Sequence, residues 1–343
     1  MHLSKTARND AMNAKVEFAG LAASVVLAFA ALFTSAPACA QQTTKVARIG
    51  FLSLPPSPAG AIARAVAKAL QDIGYVDGKN VVFDFRYADW QTERLPDLAG
   101  EMARERVDVI VAITNIPGFA AKKATERVPI VVWGIHGAVE TGLVRSLARP
   151  GGNVTGVETL APVLDAKRLE LIKQIVPKLA RLGVIYNADD QGAPVHLMSV
   201  RKAAHILGIS VVPMPVQRPG DFDSVLSGTV AGSVDGLLTL TEDLTASNWG
   251  KIAEFALKHG LPTVCEIRLL LKFGCLVSYG PSLDEFTVRV AHQVDKILKG
   301  EKAGDLPVEQ VTRFEMLVNM KTAKALGITI PQSVLLRADE VIE

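Results

Sequence analysis

The chain has few of the residues that most often carry metal or redox chemistry. Three cysteines and six histidines are spread over 343 residues. No two histidines stand at i, i+4, and Cys265 and Cys275 have no further cysteine or histidine beside them, so no zinc-type spacing is formed. The sequence also lacks a G-x-S-x-G elbow, an H-E-x-x-H motif, a Walker loop and a G-x-G-x-x-G turn. These absences argue against an enzyme, and we expect no cofactor, no catalytic residue and no metal. The net charge is only +2. Such a surface offers no electrostatic footprint for nucleic acid or anionic lipid, so nucleic acid is not expected as a partner.

Long apolar runs are equally scarce. One charge-free stretch, 18–33, follows Lys5, Arg8 and Lys15 and precedes Ala38-Cys39-Ala40. A basic start, a short apolar segment and a small-x-small site describe a cleaved export signal at 1–40, with processing between Ala40 and Gln41. The run has 16 residues, short of the ~20 needed to span a bilayer. Cys39 as a lipid-bearing residue fits less well, because Ala36 stands where a lipoprotein site usually has Leu. The mature chain of 303 residues carries no second run of spanning length and is expected to be soluble and periplasmic. Its two cysteines could pair in an oxidising compartment. Both sit at the edges of predicted strands, and burial as reduced thiols is the expectation.

What the sequence does contain is a repeat. Val107-Asp108-Val109-Ile110-Val111-Ala112-Ile113-Thr114-Asn115 returns as Val234-Asp235-Gly236-Leu237-Leu238-Thr239-Leu240-Thr241-Glu242. Each copy is preceded by a strand opening on an arginine, Arg48 or Arg181, and a helix stopped at a glycine, Gly74 or Gly208. Each is followed by a second short strand, 128–133 or 261–265. Short β-branched runs alternate with Ala/Leu/Lys/Arg helices throughout, which predicts an α/β fold with helices on both faces of parallel sheets. Helices are predicted over 59–73, 91–105, 117–126, 163–176, 193–207, 220–231, 246–259, 267–273, 284–298 and 320–326. Five strands fall in each copy. The helix at 284–298 has no counterpart and is read as a return to the first lobe, with the tail crossing back. The predicted architecture is two similar doubly wound lobes, 46–158 with 284–310 and 159–283 with 311–343, joined by a hinge of several strands around a cleft.

Several stretches resemble one family. They are Pro150-Gly151-Gly152-Asn153-Val154-Thr155-Gly156, Ser278-Tyr279-Gly280-Pro281-Ser282, Lys296 to Gly300 with Asp305 to Gln310, Lys321 to Gly327, and Ala338 to Ile342. Over almost all of 46–343 the chain is similar to solute-binding components of ABC importers of the tryptophan/tyrosine-binding type. That resemblance implies the type I periplasmic-binding fold, a small-molecule solute and a permease partner in the inner membrane. An extracytoplasmic sensor subunit for a membrane receptor is an alternative within the same fold. A cytoplasmic repressor would carry a helix-turn-helix where this chain carries its export signal. An enzyme would need an acid/base pair at the cleft, for which Asp189 with His136 is the sole candidate.

In doubly wound sheets ligands bind outside the carboxyl ends of the strands. That rule selects Ser53, Leu54, Thr114, Asn115, Trp133 and His136 in the first lobe. In the second it selects Asn187, Asp189, Thr241, Glu242, Glu266 and Tyr279. Thr114-Asn115 and Thr241-Glu242 could cap the helices that follow, or hold a ligand carboxylate at a helix N-terminus. Glu242 and Asp189 could balance a ligand ammonium, and Trp133 and Tyr279 offer flat apolar surfaces. A stiff loop from Leu54 to Gly60 is expected at the cleft mouth. The favoured solute is an amino acid or aromatic carboxylate, captured by hinge closure.

Overall fold

The structure is a computed structural model that describes residues 46–56, 61–228 and 233–343. The expected export signal, its expected processing site at Ala40/Gln41 and residues 57–60 of the proline-rich loop lie outside the described residues.

The first sheet begins with β1 (Ala47–Ser53), β2 (Val81–Tyr87), β3 (Val109–Ile113), β4 (Ile130–Ile135) and β5 (Val154–Glu158). The second begins with β6 (Arg181–Asn187), β7 (Ser210–Val216), β8 (Gly236–Thr239), β9 (Thr263–Cys265) and β10 (Val277–Pro281). The tail adds β11 (Glu309–Gln310), β12 (Phe314–Asn319) and β13 (Glu340–Ile342). The strand orders are β11-β5-β4-β3-β1-β2 and β13-β12-β10-β9-β8-β6-β7. Each copy of the repeat therefore builds the same doubly wound order, second-first-third-fourth-fifth. All pairs are parallel except β10 with β12.

The repeated aspartate has a repeated task. Asp108 Oδ2 accepts the Arg48 amide at 2.8 Å, and Asp235 Oδ2 accepts the Arg181 amide at 2.8 Å. In both lobes a carboxylate before the third strand ties down the start of the first. Every residue of β3 is buried, as a strand covered by helices on both faces must be. Helix α1 (Ala61–Asp72) buries Ala63, Val66, Ala67 and Leu70, the i, i+3, i+4, i+7 stripe that seats a helix on a sheet.

The helix with no counterpart, Leu283–Leu298, buries Phe286, Val290, Ala291, Val294 and Ile297 in the same core as Ile49, Val109 and Val111 of the first sheet. Gln293 Nε2 donates to the carbonyls of Gly156 and Pro307, both at 3.1 Å, fastening it there. The chain thus passes between the sheets after β5, after β10 and after β11.

Two expectations need correcting. The helix predicted over 246–259 begins earlier and is split into Asp243–Ser247 and Trp249–Lys258, with Asn248 between them. The early start comes from a capping box: Glu242 accepts the amides of Leu244 and Thr245, and Thr245 Oγ1 accepts the Glu242 amide. The second correction concerns Cys265 and Cys275, expected as reduced thiols; they form a disulfide with Cα atoms 6.5 Å apart. A 3-10 turn over Arg268–Phe273, in place of the predicted α-helix, folds the chain back and brings the two thiols within bridging range.

Candidate functional site

A narrow cavity of about 50 Å³ lies between the carboxyl ends of the two sheets. From the first sheet come Thr114, Trp133, Gly134 and His136, and from the second Thr241, Glu242, Asp243 and Glu266. Ile62 and Phe286 add apolar surface. The Trp133 and Phe286 rings are 5.2 Å apart between centroids, a tilted aromatic pair. Thr114, Trp133, His136, Thr241, Glu242 and Glu266 were each legible as strand-end residues.

Thr114 follows β3 with φ 68° and ψ −179°. That region is reserved almost entirely for glycine, and a β-branched residue there is strained. Thr114 does not cap the helix Asn115–Ala124 that follows. Its hydroxyl instead crosses to the other sheet and donates to Asp243 Oδ2 at 3.1 Å. The capping expectation is met only by Glu242, whose carboxylate also accepts Asn187 Nδ2 at 3.1 Å.

The other six strand-end residues do not line the cavity. Ser53 and Leu54 spend their carbonyls on the amides of Ala88 and Trp90 at the rim of β2. Asn115 clasps the β4 exit, donating to the His136 carbonyl at 2.9 Å and accepting its amide at 3.0 Å. Asn187 braces Glu242. Asp189 is exposed and bonded to Gln217, and the inward carboxylate is its neighbour Asp190. Tyr279 packs against Phe314 and presents its carbonyl to Arg168.

A buried charged layer backs the cavity, and sequence reasoning missed most of it. The Arg168 guanidinium donates to the Tyr279 carbonyl at 2.7 Å, Asp165 at 2.8 Å and Glu266 at 3.1 Å. His136 Nδ1, from the first lobe, lies 3.5 Å from Asp190 Oδ2 of the second, and its ring stands 4.8 Å from that of His196. Burial pulls the His136 pKa down, but Asp190, with Glu266 and Glu242 behind it, outweighs that and the value is raised. Burial drives His196 well below the ordinary value, helped by the charges of His136 and Arg168. Burial lifts Asp165 to about 7, opposed by Arg168. Burial lifts Asp243 to about 8, with the charge of Glu242 adding and the Thr114 hydroxyl opposing. Glu242 is raised by burial against its backbone donors. Asp165, His196 and Glu266 bring three metal-competent atoms within 4.8 Å of one another, but Arg168 already serves both carboxylates as counter-ion.

Two glycines make the approach of the elements possible. A Cβ on Gly280 would stand 1.7 Å from the Glu266 carbonyl oxygen. A Cβ on Gly192, at the start of Ala193–Ile206, would stand 2.6 Å from His136 Cβ of the opposite lobe. The first lets β10 pass Glu266, and the second lets the lobes touch.

Known proteins share this architecture. A tyrosine-binding protein of Clostridioides difficile is 30% identical over 261 residues, 76% of this chain and 75% of the relative. An ABC domain in complex with L-Trp from Streptococcus pneumoniae overlays with a TM-score of 0.80 at 25% identity, covering 86% of this chain and 99% of its own. The ligand-free, open structure of a substrate-binding protein from Clostridium difficile gives 0.62 at 28% identity, covering 87% and 99%. Among the described residues no helix is long and apolar enough to cross a membrane. The model of the ABC transporter substrate-binding protein family matches residues 45–342, and the chain belongs to that family.

Proposed function

We propose that this chain is the periplasmic solute-binding component of an ABC importer, exported by a signal cleaved at Ala40/Gln41. It captures an amino acid or a related aromatic carboxylate between lobes 46–158 with 284–310 and 159–283 with 311–343. It closes on a hinge and delivers the solute to an inner-membrane permease. The carrying observation is the bond from Thr114 Oγ1 to Asp243 Oδ2, which joins the two sheets at the wall of the cavity. A solute that touches both sides favours the closed state by its differential affinity. The closer overlay on the L-Trp complex than on the ligand-free open structure supports reading the described conformation as closed.

The chemistry of the cavity suits a zwitterion with an apolar body. Thr114 marks the N-terminus of a ten-residue helix, where free amides favour a carboxylate. Among the described residues Trp133 Nε1 is buried without a partner, and it supplies a further donor. Trp133 and Phe286 offer the apolar floor, and Asp243 faces the ammonium end. A thermal-shift panel of amino acids and aromatic acids on the mature protein tests the reading, because binding raises apparent stability as RT ln(1+[L]/Kd). A hit should also shrink the radius of gyration in X-ray scattering. A panel without any stabilising ligand would remove amino acids and aromatic acids as the solute.

A further inference from the structure

Asp89 and Trp90, just past β2, both have left-handed backbone, with φ of 53° and 65°. Bulky residues rarely adopt that region, and they stay there only where the surroundings enforce it. Here the Trp90 amide donates to the Leu54 carbonyl and the Gln91 amide to the Ala88 carbonyl, both at 3.0 Å. Arg94 Nη1 donates to Asp89 Oδ2 at 2.8 Å and to the Ala88 carbonyl at 3.3 Å. The turn is fastened, and what it presents is one indole.

That indole bridges the lobes. It packs against the first-lobe cluster that contains Leu52, Leu95 and Ile110, and against the second-lobe cluster that contains Ile185, Leu244 and Trp249. Among the described residues no other half-buried apolar side chain packs against a core cluster of each lobe. Trp90 does not line the cavity. The strand order β4-β3-β1-β2 explains its place. His136 leaves β4, Thr114 leaves β3 and Trp90 follows β2, so these three inter-lobe contacts run along one carboxyl edge with Trp90 at its outer end. The first two are polar and would meet water on opening, which leaves a small net difference. The indole would expose apolar area instead, and that cost favours the closed state.

We propose that Trp90 is a closing latch: docked on the second lobe, it keeps part of the solute-free protein closed and strengthens solute capture without touching the solute. This rests on the hinge-closure reading and assigns part of the closing energy to a residue outside the cavity. A solute then adds its own differential affinity to a bias that the chain already carries. The strained turn is the local consequence of aiming an indole at the opposite lobe.

X-ray scattering of the mature chain, freed of carried-over solute by unfolding and refolding, tests this. Solute-free Trp90→Ala should show a larger radius of gyration than wild type. Its closed-to-open ratio should fall roughly tenfold, the order expected for losing a half-buried indole. Trp90→Gly should behave alike, and because glycine is at ease at φ 65° it guards against a variant that folds poorly. An indole with a purely structural role would lower stability in urea and leave the solute-free scattering unchanged. Superimposable solute-free curves for wild type and both variants therefore overturn the latch. Adding an equimolar mixture of L-tryptophan and L-tyrosine tests the hinge reading separately. Compaction of wild type and variants to one common radius, with the variants needing about tenfold more of the mixture, supports latch and hinge together. Superimposable solute-free curves that the mixture compacts remove the latch and leave the hinge reading intact. Wider solute-free variants that the mixture does not compact keep the latch and remove these two amino acids as solutes.

Discussion

Thr114 Oγ1 and Asp243 Oδ2 stand 3.1 Å apart across the cleft, tying the exit of β3 to the first turn of a helix on the opposite sheet. The donor sits on strained backbone at φ 68° and ψ −179°. Such strain costs of order 1–3 kcal/mol and persists where the surrounding structure enforces it.

That geometry predicts an inverted stability order. Glycine in an ordinary extended position is less stable than alanine by roughly 0.5–1 kcal/mol. At position 114 the order should reverse, with Thr114→Gly about 1 kcal/mol more stable than Thr114→Ala because only glycine is at ease there. Urea unfolding of the two variants measures it. Both should bind ligand more weakly than wild type; a glycine variant less stable than the alanine variant would show that Thr114 is not strained.

The pH dependence follows from the raised carboxyl of Asp243. Its folded value of about 8 lies above the ordinary value of 3.8, so between them the folded state holds more protons than the unfolded chain. Stability contributed by this group is complete below about pH 4 and is lost as pH rises towards 8. Asp165, raised to about 7, acts the same way, as does the raised His136. The lowered His196 opposes them in the acid range, where the unfolded histidine takes up the proton. Between pH 6.5 and 8 the ligand-free protein should therefore lose stability, and Asp243→Asn should flatten that slope. Chemical denaturation across this interval decides it.

Arg168 is fully buried, with three acceptors in one fork. Removing one partner of a buried ion pair costs about 3–5 kcal/mol. Arg168→Met should destabilise by that order. Arg168→Lys should recover little, since an ammonium cannot reproduce the planar fork. Near-complete rescue by lysine in thermal melts would mean that charge alone is needed.

The Cys265–Cys275 disulfide closes a short loop whose constraint on the unfolded chain contributes ~2–3 kcal/mol. Non-reduced, denatured mature protein should show no free thiol, and reduction should lower the melting temperature. Two free thiols would restore the expectation of buried cysteines.

Intact mass of the exported protein should begin at Gln41. A mass retaining the first forty residues, or a lipid on Cys39, would remove the soluble periplasmic assignment.

The α/β repeat was legible because its signals are local. Alternating apolar runs, the paired Asp108 and Asp235, and glycines closing helices all act within a few residues or within one sheet. Strand-end positions found Thr114, Trp133, His136, Thr241, Glu242 and Glu266 for the same reason: parallel strands put their carboxyl ends on one edge. Asp243 was missed because the sequence placed the helix start at 246. The cap from Glu242 moved it forward and turned the next carboxylate towards Thr114.

By itself, then, the sequence determined the layered fold, the order of elements and the edge on which the strand-end side chains gather. Tertiary structure alone decided which side chains line the cavity there. Arg168 meets Glu266 across 98 positions and Tyr279 across 111, and Thr114 meets Asp243 across 129. The pairing of Cys265 with Cys275 depended on how one 3-10 turn folded back. Contacts of that range depend on lobe against lobe and on burial, and burial is also what displaces the charges. Neither is written in the spacing of residues along the chain.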